Sequence, residues 1–266
     1  MAVAQAEVNG QRIGYEDSGG HRPALVFSHG IFMDRTMFDP QVVALTPDYR
    51  CIRWDQRGHG ATGPATALFT YWDSADDAVG LLDHLEVDRA VFVGMSQGGF
   101  ISLRAALRHP ERVAALVLID SQAGAEDPEA LTGYRAAAEI GEAHGLVDEV
   151  AQMAAAIIIG PASEITAHWM ARWREAPPGR LPLLIDVLGA REDITARLQE
   201  ISCPALVIHG EDDAAISMEL AQQLAHGLPG CARLLPIPGA GHAANLTHPQ
   251  PVNAALRDFL GRHAAR

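Results

Sequence analysis

The run Val91-Phe92-Val93-Gly94-Met95-Ser96-Gln97-Gly98-Gly99-Phe100 sets a serine between glycines, with an apolar β-rich stretch before it and helical text after it. That spacing predicts a sharp strand-to-helix turn. A β-carbon at Gly94 or Gly98 would collide with adjacent backbone, and the turn lifts the Ser96 hydroxyl clear of the sheet. It also sets the Gln97 amide and the positive end of a helix dipole beside any negative charge that forms there. A Gly-rich turn whose serine only caps a helix has the same local text; the flanking strand and helix favour a nucleophile.

A serine hydroxyl is a weak nucleophile and needs a base within hydrogen-bond reach. Twelve histidines compete for that role. His242 is the best placed, in the loop Pro238-Gly239-Ala240-Gly241-His242 between the last strand and the final helix. His84 and His109 fall on helices, His226 near a helix end, His263 in the tail and His248 at the start of the last helix, where solvated or capping roles suffice. His29 and His59 follow strands, but their glycine neighbours suit them to shaping tight loops. The imidazole needs a carboxylate to orient it. Asp212 and Asp213, after the strand-like Ala205–His209, and Asp120, ending the strand before it, are the candidates. Oxyanion donors are expected from the backbone amides of Ile31, in the loop Ser28–Asp34, and of Gln97. As backbone donors, they leave their side chains free to vary.

These residues require elements that bring them together. Apolar β-rich runs recur at Ala24–Ser28, Tyr49–Trp54, Ala90–Val93, Ala114–Ile119, Ala205–His209 and Ala232–Pro236. Helical text lies at Asp34–Leu45, Trp72–Leu85, Gln97–His109 and Pro249–Arg262. The alternation predicts an α/β fold with a mostly parallel sheet covered by helices on both faces. Val3–Asp17, with Asn9-Gly10 at its centre, reads as an antiparallel hairpin on the sheet edge. Residues 121–200 are helical text broken at Ile159-Gly160-Pro161 and Ala176-Pro177-Pro178-Gly179, and are expected to form a lid over a core made of 1–120 and 201–266.

Composition narrows the function. The chain has 266 residues, 48% of them hydrophobic, and a formal net charge of −13, which disfavours nucleic acid or an anionic membrane as partner. No segment resembles an export signal or a membrane span, so the expected location is cytoplasmic. Cys51, Cys203 and Cys231 are widely spaced, odd in number and without a C-x-x-C pair, so neither a disulfide framework nor a zinc site is expected. No cofactor and no metal are expected. The text leaves a homo-oligomer open.

The chain resembles the α/β-hydrolase family over essentially its whole length. The resemblance rests on His29-Gly30, Asp55-Gln56-Arg57-Gly58-His59-Gly60, Gly94-Met95-Ser96-Gln97-Gly98, His209-Gly210-Glu211-Asp212-Asp213 and Gly241-His242, in that order. It implies a catalytic triad in the chain order Ser96, Asp213, His242, the family's Gly-x-x-Asp spacing selecting Asp213 over Asp212. The text is most similar to the carboxylesterase, 3-oxoadipate enol-lactonase and cofactor-free haloperoxidase (perhydrolase) group. It departs from many of these at Ala61-Thr62-Gly63, where a serine is usual. The implied activity is hydrolysis of a small-molecule ester or lactone through an acyl-enzyme, rising through roughly pH 6 to 7 as His242 becomes neutral. C–C bond hydrolysis and perhydrolysis are alternatives within the same group.

Two rival readings have a foothold. Gly58-His59-Gly60-Ala61-Thr62-Gly63 spells the G-x-G-x-x-G of an NAD-dependent oxidoreductase, but Pro64 follows and no helix opens on the glycines. A non-catalytic ligand receptor on the same fold would not need serine, acid and base together. Ser96 at the turn also disfavours relatives with an aspartate nucleophile. Phe32, Met95, Trp169 and Trp173 are candidates for the substrate pocket, although the helical stripe Trp169, Met170, Trp173 equally suits packing. Arg135, Arg172, Arg174 and Arg191 are cations able to hold a substrate carboxylate.

Overall fold

In the parallel strands, successive side chains enter different cores. Ala24 and Val26 of β3 (Ala24–Ser28) and Ala90 and Phe92 of β5 (Ala90–Met95) join one buried cluster, while Leu25, Phe27, Val91, Val93 and Met95 join another. A strand apolar at every position therefore has a helical layer on each face. The computed structural model describes residues 1–266 apart from 64, 66, 145–147, 162, 176–180 and 265–266. The sequence-predicted turn Ala176–Gly179 lies outside the described residues.

Eight strands form one sheet in the order β1 (Ala4–Val8), β2 (Gln11–Asp17), β4 (Arg50–Trp54), β3, β5, β6 (Val113–Ile119), β7 (Ala205–Gly210), β8 (Cys231–Ile237). The edge hairpin of β1 and β2 turns at Asn9 and Gly10, both with positive φ, and β2 pairs antiparallel with β4. All remaining pairings, through β6, β7 and β8, are parallel. α1 (Asp39–Leu45) and α10 (Pro249–His263) cover one face. α2 (Tyr71–His84), α3 (Gln97–Arg108) and α8 (Met218–Gly227) cover the other. A fully buried Leu, Phe or Ile in these layers contributes roughly 1.5–3 kcal/mol.

The helix expected over Asp34–Leu45 is split. Asp34 caps a 3-10 turn at Arg35–Phe38, and α1 starts afresh at Asp39 with Pro40 in its first turn, where the missing N–H costs nothing. The four-residue α9 (Ala244–Thr247) is an element that sequence reading does not anticipate, while α8 is signalled only by the helix end near His226. Between β6 and β7 run α4 (Pro128–His144), α5 (Asp148–Ile158), α6 (Glu164–Glu175) and α7 (Leu181–Gly189), then a 3-10 turn at Thr195–Glu200. The turn at Ile159–Pro161 separates α5 from α6, with Gly160 at φ +112°. Among the described residues, no helix is long and apolar enough to cross a membrane.

Because β5, β6, β7 and β8 are successive parallel neighbours, their carboxyl ends lie along one edge. Ser96, Asp120, Asp213 and His242 each follow one of these strands.

Candidate active site

Ser96 sits at φ +51° and ψ −117°, a strained conformation for a residue with a side chain. Its backbone is held on both sides. The N–H donates to Ile119 O at 2.8 Å, while the carbonyl accepts from Gly99 N–H at 2.8 Å and Ser121 Oγ at 2.9 Å. The flanking glycines are sterically compelled: a β-carbon at Gly98 would lie 1.8 Å from Ser28 O, and one at Gly94 would lie 2.2 Å from Gly98 O.

His242 Nε2 lies 2.9 Å from Ser96 Oγ, and its Nδ1 lies 2.8 Å from Asp213 Oδ2. With the carboxylate on Nδ1, the imidazole donates there and presents Nε2 as acceptor to the serine hydroxyl. Asp213 is fixed in turn, since Oδ1 accepts the Ala215 and Ile216 amides at 2.8 and 2.9 Å. Burial alone would raise the Asp213 pKa, but the charge and hydrogen bond of His242 and the Ile216 amide outweigh it and hold it below the usual range. Burial likewise opposes charge on His242, yet Asp213, helped by Glu126, pushes its pKa above the ordinary imidazole value.

The rival carboxylates are elsewhere. Asp212 is exposed. Asp120 is completely buried, at φ +48°, with Oδ1 accepting Gly210 N–H at 2.8 Å and Oδ2 accepting Ala244 N–H at 2.9 Å. It ties the segment that carries Asp213 to the segment that carries His242. Burial, reinforced by the charge of Asp213, pushes its pKa up to about 8. His209 is the residue that sequence reasoning missed. It donates from Nε2 to Ile216 O at 2.8 Å and stands 3.3 Å from Asp213 Oδ2. Asp120, His209 and Asp213 are also a group of metal-ligand type, each offering an atom within 4.8 Å of the others. The carboxylate oxygens are already committed to backbone amides and to His242, so the arrangement reads as a hydrogen-bond network.

The Ile31 and Gln97 amides have no hydrogen-bond partner among the described residues. His29 and His59 shape the loops around them. His29 donates from Nδ1 to Gly30 O at 2.8 Å and accepts the Gln56 amide at 3.1 Å; His59 donates to Arg57 O at 2.9 Å and accepts the Phe32 amide at 3.3 Å. The Gln97 side chain is not idle, contrary to expectation. Its amide donates to Gln56 Oε1 and its carbonyl accepts Tyr71 O–H at 3.0 Å, tying the start of α3 to the loop after β4 and to α2.

Of the candidate pocket residues, Met95 lies deepest. It is fully buried, and a β-carbon on Gly30 would lie 2.7 Å from its Sδ, so it supports the loop from within the core. Trp169 and Trp173 are buried in the same core cluster, Trp173 donating from Nε1 to Phe32 O at 2.9 Å. Phe32 is half-buried beside them. The candidate cations are already paired: Arg135 with Asp186 at 3.3 Å, Arg172 with Asp34, Arg174 with Asp148 at 2.7 Å, and Arg191 with Glu126 at 3.2 Å. At Gly58–Gly63 a single 3-10 turn forms, and the described residues beyond it contain no helix before Tyr71. A dinucleotide pyrophosphate has no helix terminus to rest on there.

The chain and its fold match known proteins. A family model described as the alpha/beta hydrolase fold matches residues 23–144, and another described as TAP-like protein matches 189–263. A Rhizobium rhizogenes protein named RutD, provisionally a carbamate hydrolase, is 32% identical over 259 residues, covering 92% of this chain and 97% of that one. The chain belongs to the α/β-hydrolase family of enzymes. It is also 28% identical over 246 residues to 3-oxoadipate enol-lactonase 2 of Acinetobacter baylyi, covering 91% and 90% of the two chains. A thermophilic esterase from Thermogutta terrifontis superposes with a TM-score of 0.89 at 28% identity, covering 98% of this chain and 99% of that one.

Proposed function

We propose that the protein is a serine hydrolase that cleaves a small-molecule carboxylic ester or lactone through an acyl-enzyme. The observation that carries this reading is the chain Asp213–His242–Ser96, with contacts of 2.8 and 2.9 Å. Ser96 Oγ adds to the substrate carbonyl as His242 Nε2 takes its proton, and the Ile31 and Gln97 amides hold the oxyanion. His242 then protonates the leaving oxygen. In the second half it activates water, which releases the acid and restores the serine. Asp213 keeps the imidazole in the required tautomer throughout.

Residues 1–120 and 201–266 are the catalytic core in this reading, and 121–200 a helical lid that shapes substrate choice. The names of the relatives, a lactonase and an esterase among them, support oxygen-ester chemistry. The acidic balance of −13 supports a small-molecule substrate over nucleic acid or membrane.

The test pairs a fluorophosphonate with substrates. Labelling confined to Ser96, hydrolysis of p-nitrophenyl esters or of a carboxylated enol-lactone, and a loss of about 10³-fold or more in Ser96→Ala are expected. Full esterase activity in Ser96→Ala would overturn the proposal. Turnover of the lactone alone, or peroxide-dependent perhydrolysis, would assign the subgroup.

A further inference from the structure

Gly30-Ile31-Phe32-Met33 is a closed turn, Met33 N–H donating to Gly30 O at 3.2 Å. Its third residue has φ +63°, the left-handed value that such a turn ordinarily assigns to glycine or asparagine, yet the residue is Phe32. An L side chain there costs roughly 1–2 kcal/mol, so surrounding structure must hold the conformation. Two side chains do so from separate parts of the chain. His59, buried and fixed by its own bond to Arg57 O, accepts the Phe32 N–H at 3.3 Å. Trp173, on α6 between β6 and β7, donates its indole N–H to the Phe32 carbonyl at 2.9 Å.

The grip extends along the loop. Arg172, the residue before Trp173, pairs with Asp34, whose Oδ1 accepts Thr36 N–H at 2.8 Å and Thr36 Oγ1 at 2.5 Å. Two consecutive side chains of α6 thus fasten both Phe32 and the cap of the next 3-10 turn. Ile31, whose unpartnered amide is the first oxyanion donor, adjoins the residue being held.

We propose that Trp173 is a positioning residue: through its bond to the Phe32 carbonyl, α6 holds the strained Gly30–Met33 turn in the geometry that presents the Ile31 amide to the oxyanion. The proposal rests on the serine-hydrolase reading. It makes the helical segment between β6 and β7 part of the catalytic apparatus, because the turn relaxes when α6 moves away and the oxyanion site loses a donor.

The test replaces the indole N–H alone. Benzothienylalanine at position 173 keeps the ring size and removes the donor; Trp173→Phe is the genetically simpler companion. Both should lower kcat on a neutral p-nitrophenyl ester by roughly 2- to 12-fold, the span for losing one neutral hydrogen bond, with KM little changed. Affinity for an alkyl trifluoromethyl ketone, which forms an oxyanion on Ser96, should fall in proportion. In a Phe32→Gly background, where the turn needs no external hold, the ratio of Trp to benzothienylalanine activity should approach one.

An unchanged kcat and ketone affinity in the folded benzothienylalanine enzyme would overturn the proposal. So would the same loss in both backgrounds, since that places the effect outside the turn. Failure of the native enzyme to react with a fluorophosphonate would instead refute the serine-hydrolase reading, which keeps the two failures apart.

Discussion

Replacing Asp120 with asparagine separates what its shape does from what its proton does. The wild-type carboxyl accepts two backbone amides, from Gly210 and Ala244. An asparagine oxygen accepts one and its NH₂ faces the other, so Asp120→Asn carries a pH-independent cost of about 1–3 kcal/mol. The proton adds a pH-dependent part. Burial and the charge of Asp213 push the folded pKa up to about 8, against 3.8 for the ordinary group, so between these values the native state binds a proton that the unfolded chain has released. The associated stability is complete below the unfolded pKa and is lost as pH rises through the folded one. The slope approaches 1.4 kcal/mol per pH unit, or about 3 kcal/mol between roughly pH 5 and pH 7. The variant cannot show this loss. Urea denaturation of both proteins across that range should find the penalty of Asp120→Asn largest at pH 5 and smaller by about 3 kcal/mol at pH 7. A penalty that stays constant across the range would refute the argument that a buried proton resides on Asp120.

Asp213→Asn should lower kcat by about 10⁴-fold with the fold intact, because the amide no longer selects the Nδ1–H tautomer; near-native turnover would exclude Asp213 as the acid. The acid limb of kcat/KM in the native enzyme should lie above the ordinary imidazole value, since burial of His242 is outweighed by Asp213, and removing that carboxylate should move the limb to lower pH. An upward shift in Asp213→Asn would contradict the assignment. Gly98→Ala, whose new β-carbon would meet Ser28 O at 1.8 Å, should give insoluble protein or a melting temperature far below native; a native-like melting curve would show that the turn is softer than described.

What the sequence discloses about this molecule follows from how local each constraint is. The glycines around Ser96 are readable because the clash they avoid lies within a few residues, and the alternating strands and helices are readable because both faces of the sheet are covered. The choice among Asp120, Asp212 and Asp213 is not local. It depends on how β6, β7 and β8 stand at the sheet edge, which gives Asp213 to His242, leaves Asp212 in solvent and encloses Asp120 behind both. Short elements are also lost: α9 spans four residues, too few for a period. The left-handed Phe32 leaves no signal, because its conformation is imposed by His59 and Trp173 from 27 and 141 positions away rather than by its own type.

Phe32, Ser96 and Asp120 share a property that bears on how the site is maintained. Five non-glycine residues have positive φ among the described residues, and these three follow β3, β5 and β6 at the edge where the candidate groups meet. Each costs of order 1–3 kcal/mol and persists only where surrounding bonds over-determine it. Those bonds are present at all three: backbone and Ser121 at Ser96, His59 and Trp173 at Phe32, and two amides on the carboxyl of Asp120. The strain is supported by a central sheet whose strands are buried on both faces, so relaxing any one position need not unfold the protein. Substitutions that relieve it should therefore raise stability while loosening the geometry around Ser96, an opposition expected where strain positions candidate reacting groups.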